Sequence, residues 1–203
     1  NILQQDISKV GAVDIGFYNH DFAQNFDQNI KNHINKFNPV VFLLSADEIN
    51  HSILEGAFIV YLGHHGDDLA QLADIVLPSP AYTEKSSTYM NMEGRVLQTT
   101  RCYHPLGVSK EEWKIFRALS NNFSQKLKFN NLSELRNEIS NLFPVFKEIN
   151  NLPSSSKLDF GSSTKIENRV LEYNIKNFYM TDVISRASIT MANCSREILN
   201  KVA

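Results

Sequence analysis

Residues 73–98, ADIVLPSPAYTEKSSTYMNMEGRVLQ, decide how this chain folds. Ala73 and Asp74 lead into Ile75, Val76 and Leu77, apolar residues that follow one another without alternation, and Pro78 stops the run. That pattern predicts a short strand covered on both faces. Thr83, Glu84 and Lys85 then open a charged loop. Thr88 begins a second extended stretch, Asn91 and Gly94 supply turn residues, and Arg95 to Gln98 runs back as the return arm of a hairpin.

Working outward, Pro39 precedes Val40-Val41-Phe42-Leu43-Leu44, a second unbroken apolar run that predicts a central parallel strand. Residues 57–62 form a third run, and residues 47–54 are the short connection before it. Residues 67–72 have room for one helical turn before the strand at Ile75. Strand, helix, strand, helix, strand in this order predicts an α/β fold with a parallel, Rossmann-like sheet and right-handed crossovers. Ligands of such sheets bind beyond the carboxyl ends of the strands, so Gly63-His64-His65-Gly66-Asp67 is the place to look for a site.

The flanks read as helices. Ile2, Leu3, Ile7, Val10 and Val13 lie at near-helical spacing within residues 1–17, with a turn expected at Gly11 or Gly16. Phe22, Phe26, Ile30 and Ile34 line one face of a second helix. Ser109 and Glu112 have the spacing of a capping box for a helix reaching about Leu127, whose Trp113, Phe116, Leu119 or Ser120, and Phe123 would face the core. Residues 132–142 predict another helix, disturbed by Pro144. The polar stretch 150–164, NNLPSSSKLDFGSST, reads as a tether. Beyond it, Thr181 or Asp182 can cap a helix carrying Ile184, Ala187, Met191, Ile198 and Val202. Three regions result: an α/β region over 1–149, a tether or irregular segment over 150–177, and a helix over 178–203. That last helix either docks on a partner or packs back on its own domain.

Composition excludes several classes. The 203 residues are 42% hydrophobic with a net charge of −2, and the charges are interspersed, so no basic field for nucleic acid exists. No apolar run approaches the roughly 20 residues that a membrane-crossing helix needs. Cys102 and Cys194 stand apart, without a disulfide framework or an iron–sulfur ligand pattern.

Chemistry-bearing residues have competing readings. Adjacent imidazoles at His64 and His65 invite a metal, but no third ligand follows at useful spacing. Gly63-x-x-Gly66 after a strand suits a phosphate turn, although the full glycine fingerprint is missing. Glu84, Lys85, Glu93 and Arg95 could run acid–base chemistry or form an ion-pair network that holds a loop in shape. The second reading is preferred, with Asn91 holding the turn and Gly94 at a backbone position that a Cβ would hinder. No nucleophile elbow is present. The expectation is no catalytic, cofactor-binding or metal residue in this chain.

Residues Asp74, Pro78, Glu84, Lys85, Asn91, Glu93, Gly94 and Arg95 together resemble the molybdopterin-oxidoreductase superfamily. Phe58-Ile59-Val60-Tyr61, Gly63-His64-His65-Gly66-Asp67 and Glu112-Trp113-Lys114-Ile115 narrow the likeness, as do Phe178-Tyr179-Met180-Thr181-Asp182 and Ile184-Ser185-Arg186-Ala187-Ser188. They resemble the large iron–sulfur subunits of respiratory complex I, in which that fold persists without its pterin. The resemblance implies the carboxyl-terminal part of such a subunit, whose iron–sulfur clusters and FMN reside elsewhere in the complex. Its implied partners are the cluster-bearing amino-terminal part of the subunit and other hydrophilic-arm subunits. The implied location is the matrix face of the mitochondrial inner membrane, or the cytoplasmic side in a bacterium. Phe178, Tyr179, Met180, Asp182 and Arg186 are then expected to dock. The alternatives are a fragment of an active molybdopterin-dependent oxidoreductase or a nucleotide-binding module.

Overall fold

Three parallel strands, β1 (Val40–Leu44), β2 (Phe58–Gly63) and β3 (Ile75–Pro78), form one sheet in that order. The register runs Val40 opposite Phe58 and Val60 opposite Ile75. The computed structural model describes residues 7–17, 25–46, 48–153 and 177–198. Readings that rest on Ile2, Leu3, Phe22, Val202 and most of the tether lie outside them.

β2 is the middle strand, and Ile59 through Gly63 are buried. Its neighbours differ from the expectation. β1 and β3 are edge strands among the described residues, leaving Val40 54%, Leu44 49%, Ile75 43% and Val76 50% exposed. An unbroken apolar run marks a strand with two apolar faces; it carries no information on which strand has two neighbours.

The crossovers position the sheet. Helix α2 (Phe26–Phe37) precedes β1, and a 3₁₀ turn at His51–Ile53 precedes β2. Ile34, Leu43, Ile53, Leu54, Ile59, Tyr61 and Leu69 interlock as the core. Each of the Ile and Leu side chains among them, fully buried, contributes about 1.5–3 kcal/mol of transfer free energy before chain entropy is counted. Helix α3 (Asp68–Leu72) is the predicted single turn, capped by Asp67, whose Oδ1 accepts from the Asp68 amide at 2.9 Å.

The hairpin forms as read, with β4 (Thr88–Met90) antiparallel to β5 (Val96–Gln98). Helix α1 (Lys9–Asp14) is fastened to it, because the Met90 amide donates to Ser8 Oγ at 3.0 Å.

Helix α4 (Glu112–Leu119) departs from expectation at both ends. Ser109 does not cap it; its Oγ is buried with no hydrogen-bond partner, and Glu111 occupies the cap position. Glu112 cannot complete a capping box because its carboxylate is bound to Lys85. The helix stops eight residues short of Leu127, in a 3₁₀ turn at Ser120–Asn122. There Ser120 Oγ donates to the Arg117 carbonyl at 2.7 Å and accepts the Leu127 amide at 3.1 Å. A serine hydroxyl competing for backbone partners ends helices in this way. Phe123, expected in the core, is 60% exposed as a result.

Helix α5 (Leu132–Leu142) matches its prediction, and Pro144 starts a separate 3₁₀ turn. The last helix is two: α6 (Val183–Arg186), capped by Asp182, and α7 (Ile189–Ile198). Ser188 separates them; its Oγ accepts the Met191 amide at 3.4 Å, so it begins a new helix instead of continuing the old one.

Candidate functional site

The carboxyl edge of the sheet is where the sequence placed a site, and it is built from backbone already described. Gly63 ends β2, and its carbonyl accepts the Ser79 amide at 3.0 Å. Pro78 ends β3, and its carbonyl accepts the Lys110 amide at 3.1 Å. Segments bearing His64, His65, Ser79 and Ser109 are thereby stitched along one edge. Gly63 is glycine for a steric reason: a Cβ would fall 2.4 Å from Tyr61 Cε1 and 2.5 Å from its hydroxyl oxygen. The Tyr61 ring, 1% exposed, fills that space, and its hydroxyl donates to the His65 carbonyl at 3.4 Å.

Two ion pairs lie at or beside this edge. Lys85 Nζ lies 2.6 Å from Glu112 Oε1, with both side chains mostly buried. Arg186 donates to Asp67 Oδ2 through Nε at 3.1 Å and Nη2 at 2.8 Å, spanning 119 positions of sequence. The Asp68 amide, and then the Arg186 guanidinium, hold the Asp67 carboxyl below the usual carboxylate range against opposing desolvation. His64 is pushed the other way: burial first, then His65 and Lys85, lower its imidazole pKa, opposed by Glu84 and Glu112. His64 is therefore a neutral imidazole at neutral pH. The Nδ1 atoms of His64 and His65 and the Oγ atoms of Ser79 and Ser109 are buried with no hydrogen-bond partner.

The predicted loop residues occupy a connected frame. Asp74 Oδ2 accepts the Ile59 amide at 2.7 Å, and the Asp74 amide returns to the Ile59 carbonyl at 2.9 Å, tying β3 to the start of β2. Glu84 Oε2 accepts the Ala81 amide at 3.0 Å. Asn91 Oδ1 accepts the amides of Glu93 and Arg95, each at 3.0 Å, and Gly94 sits at φ +80° with Pro153 Cγ 3.0 Å from where a Cβ would be. Arg95 lies 3.9 Å from Glu93 and donates to the Asn150 carbonyl. The four charged residues do not converge: Lys85 turns to Glu112, while Glu93 and Arg95 remain at the hairpin tip.

Sequence reasoning missed two participants. Glu111, 7% exposed, accepts from Trp113 Nε1 at 2.6 Å and Lys114 Nζ at 3.2 Å. Its signal is the doubled glutamate before tryptophan, of which the Ser109–Glu112 capping box takes up only Glu112. The Asp67–Arg186 pair joins two segments that were each quoted alone, and no local spacing connects them.

Among the described residues, no group of three or more His, Cys, Asp or Glu side chains is arranged to hold a metal ion. Cys102 is exposed and Cys194 half-buried, both as free thiols. A pterin dinucleotide would need cations for its phosphates. The residues present fit that poorly, because Lys85 and Arg186 are each committed to a carboxylate and His64 is held neutral. An apolar cavity of about 420 Å³ lined by Gly11, Ile15, Arg136, Ile139 and Phe143 lies under α1 and α5, where no histidine or carboxylate lines it.

A parallel sheet with this edge, followed by an antiparallel hairpin and a helical extension, is an α/β arrangement consistent with a Rossmann-like fragment of the molybdopterin-oxidoreductase fold. Residues 1–122 match the molybdopterin oxidoreductase family, and the chain belongs to it. Residues 149–194 match a second family, described as the C-terminal region of the G-type subunit of NADH-ubiquinone oxidoreductase. The chain is homologous to the large subunits of that enzyme. It is 40% identical over 205 residues to the mitochondrial NADH-ubiquinone oxidoreductase 78 kDa subunit of Candida albicans, covering 96% of this chain and 27% of that protein. Over 194 residues it is 38% identical to the G-type subunit of the NADH-quinone oxidoreductase of Rickettsia bellii, covering 96% of this chain and 27% of that protein. Over 200 residues it is 37% identical to the NADH-ubiquinone oxidoreductase 75 kDa subunit of Reclinomonas americana, covering 96% of this chain and 28% of that protein. The chain spans about a quarter of the length of these curated relatives.

Proposed function

We propose that this chain is the structural, carboxyl-terminal portion of the large iron–sulfur subunit of complex I. It supports electron transfer from NADH to quinone in the hydrophilic arm and carries no redox centre itself. Its partners are the cluster-bearing amino-terminal part of that subunit and neighbouring hydrophilic-arm subunits, which hold the iron–sulfur clusters and FMN. The location that follows is the matrix face of the mitochondrial inner membrane, with the bacterial cytoplasmic face as the alternative; no helix of the described residues is long and apolar enough to cross a membrane.

One observation carries this reading. Arg186, from the region matching the NADH-ubiquinone oxidoreductase family, is bound to Asp67, from the region matching the molybdopterin oxidoreductases. That ion pair ties the two matched regions to each other. A packed body suits a scaffold, because electron transfer depends on centres held at constant separation, and close-packed interiors transmit little slack. We assign Asp74, Pro78, Glu84, Lys85, Asn91, Glu93, Gly94 and Arg95 to maintaining the shape of that body, and Phe178, Tyr179, Met180, Asp182 and Arg186 to docking.

Native electrophoresis of the source membranes, followed by peptide mass spectrometry and metal analysis, tests the proposal. The chain is expected in the band that oxidises NADH, together with cluster-bearing peptides. Its absence from that band, or molybdenum or tungsten bound to it in equal amount, overturns the assignment and favours a catalytic molybdopterin enzyme.

A further inference from the structure

We propose that the space between α1, the hairpin and α5 binds an anionic amphiphile, a single acyl chain ending in a carboxylate, with the chain in an apolar chamber and the carboxylate on Arg136. Local chemistry creates the space. Ser8 Oγ accepts the Met90 amide at 3.0 Å, and Gly11 brings α1 so close to the hairpin that a Cβ there would sit 3.1 Å from Met90 Cβ. Arg136 Nη2 donates to the Ser87 carbonyl at 3.3 Å, which fixes α5 to the start of the same strand. Both helices are therefore held by the hairpin, and a gap of about 420 Å³ is left where they meet it. Small-molecule pockets begin at roughly 300 Å³. The site shares no lining residue with the carboxyl edge of the sheet, so it stands whether or not the scaffold role does.

The space has two halves of opposite character. Gly11, Ile15, Ile139, Phe143 and Phe146 make the chamber apolar. A polar vestibule of about 760 Å³ adjoins it, sharing Gln98, Arg136, Ser140 and Phe146 as a common wall, and opens past the exposed Asn137, Asn141 and Lys147. Arg136 thus stands at the junction. Among the described residues no aspartate or glutamate lines either half, and neither Arg136 nor Lys147 has an ion-pair partner. A half-buried guanidinium at the end of an apolar chamber, with a second cation at the mouth, matches a ligand with an apolar tail and one anionic head. An uncharged lipid leaves the guanidinium unpaired, and an inorganic anion leaves the chamber unfilled.

Photolabelling of the native assembly with a dodecanoate that carries a diazirine beside its terminal methyl tests the site. Insertion is expected in peptides that contain Ile15 or residues 139–146. Each methylene taken into the chamber should tighten binding about fourfold, so unlabelled decanoate should displace the probe at roughly one-fifteenth of the concentration that octanoate needs. Methyl dodecanoate, which keeps the tail and loses the charge, should compete ~tenfold or more worse than dodecanoate. In Arg136→Gln that advantage of the acid over its ester should vanish, and Arg136→Lys should restore part of it. Insertion confined to other peptides, or an ester that competes as well as the acid, refutes the site. Stronger competition by dodecyl phosphate than by dodecanoate overturns the carboxylate assignment. Should Arg136→Gln fail to fold, the peptide map and the acid–ester comparison in the unmodified protein decide alone.

Discussion

Replacing Gly63 by alanine should damage this protein more than the same replacement at any other described glycine. The new Cβ would lie 2.4, 2.5 and 2.6 Å from Tyr61 Cε1, Oη and Cζ, distances that carbon atoms do not tolerate. The ring has nowhere to retreat, being 1% exposed between Ile59, Leu43 and their neighbours in the core. Overpacking of this kind costs about 1–3 kcal/mol. Displacing the ring also loses the 3.4 Å hydrogen bond to the His65 carbonyl, a long contact at the weak end of its range. A loss of ~2 kcal/mol corresponds to roughly a 30-fold increase in the open population. Pulse proteolysis of the native assembly across a urea series measures it as a lowered midpoint for cleavage of this chain. Steric origin makes a sharper demand. Tyr61→Phe in the Gly63→Ala background should not rescue, because the ring carbons still collide; Tyr61→Leu should recover much of the loss. A Gly63→Ala midpoint indistinguishable from the unmodified protein, or rescue by phenylalanine, refutes the packing argument.

Other consequences are narrower. Glu112→Gln removes the partner of Lys85 in a mostly buried pair and should cost about 1–2 kcal/mol by the same assay. Because Glu112 raises the His64 pKa, the substitution should also move the His64 titration further down, visible in the pH profile of its carbethoxylation. Gly94→Ala forces a side chain into left-handed backbone against Pro153 and should cost about 1–2 kcal/mol, whereas Gly94→Asn should cost less. Arg95→Ala releases the hairpin tip from the Asn150 carbonyl and should lower the amount of chain recovered in the assembly while leaving turnover per assembled complex unchanged. Stability should fall on acidification in two stages. His64 has a folded pKa below 6.5, so between those values the unfolded chain binds more protons and lowering the pH favours it. Asp67 and Asp182, whose carboxyls lie below 3.8 in the fold, contribute stability that is intact above 3.8 and lost as pH drops through their folded values. Amide exchange of residues 183–187 against pH should register both stages; protection that increases on acidification contradicts the assignment.

The legible parts of the fold were those set by local chemistry. Unbroken apolar runs located β1, β2 and β3 within a residue or two, and Asn91 with Gly94 located the hairpin turn, because backbone geometry at those positions admits few residues. Helix α5 was legible end to end, with Asn131 capping it and Pro144 closing it. What failed was reading local pattern as tertiary rank. Burial of β1 and β3 was inferred from apolarity, yet exposure depends on what lies alongside. The Ser109–Glu112 spacing is a capping box only if Glu112 has no better partner, and Lys85, 27 positions away, is one. Likewise, the continuous apolar periodicity of the last helix hid the break at Ser188, where a hydroxyl starts a second helix.

The carboxyl edge shows why sequence likeness to a cofactor-binding family and chemistry of cofactor binding come apart. A sheet of this kind leaves strand ends and loop amides at one edge whatever the loops contain, so the geometry of a ligand site is inherited with the fold. Binding a phosphorylated cofactor there also requires cations that have no other partner. Here Lys85 and Arg186 are paired with Glu112 and Asp67, and Arg186 arrives on a segment matched to a different family from the loop it meets. Removing Asp67 would leave the partly buried Arg186 without its carboxylate partner, so the pair is held by mutual need as much as by attraction. An edge arranged in this way binds its own chain, and that self-binding is the physical form a scaffold takes when it is built on a fold made for ligands.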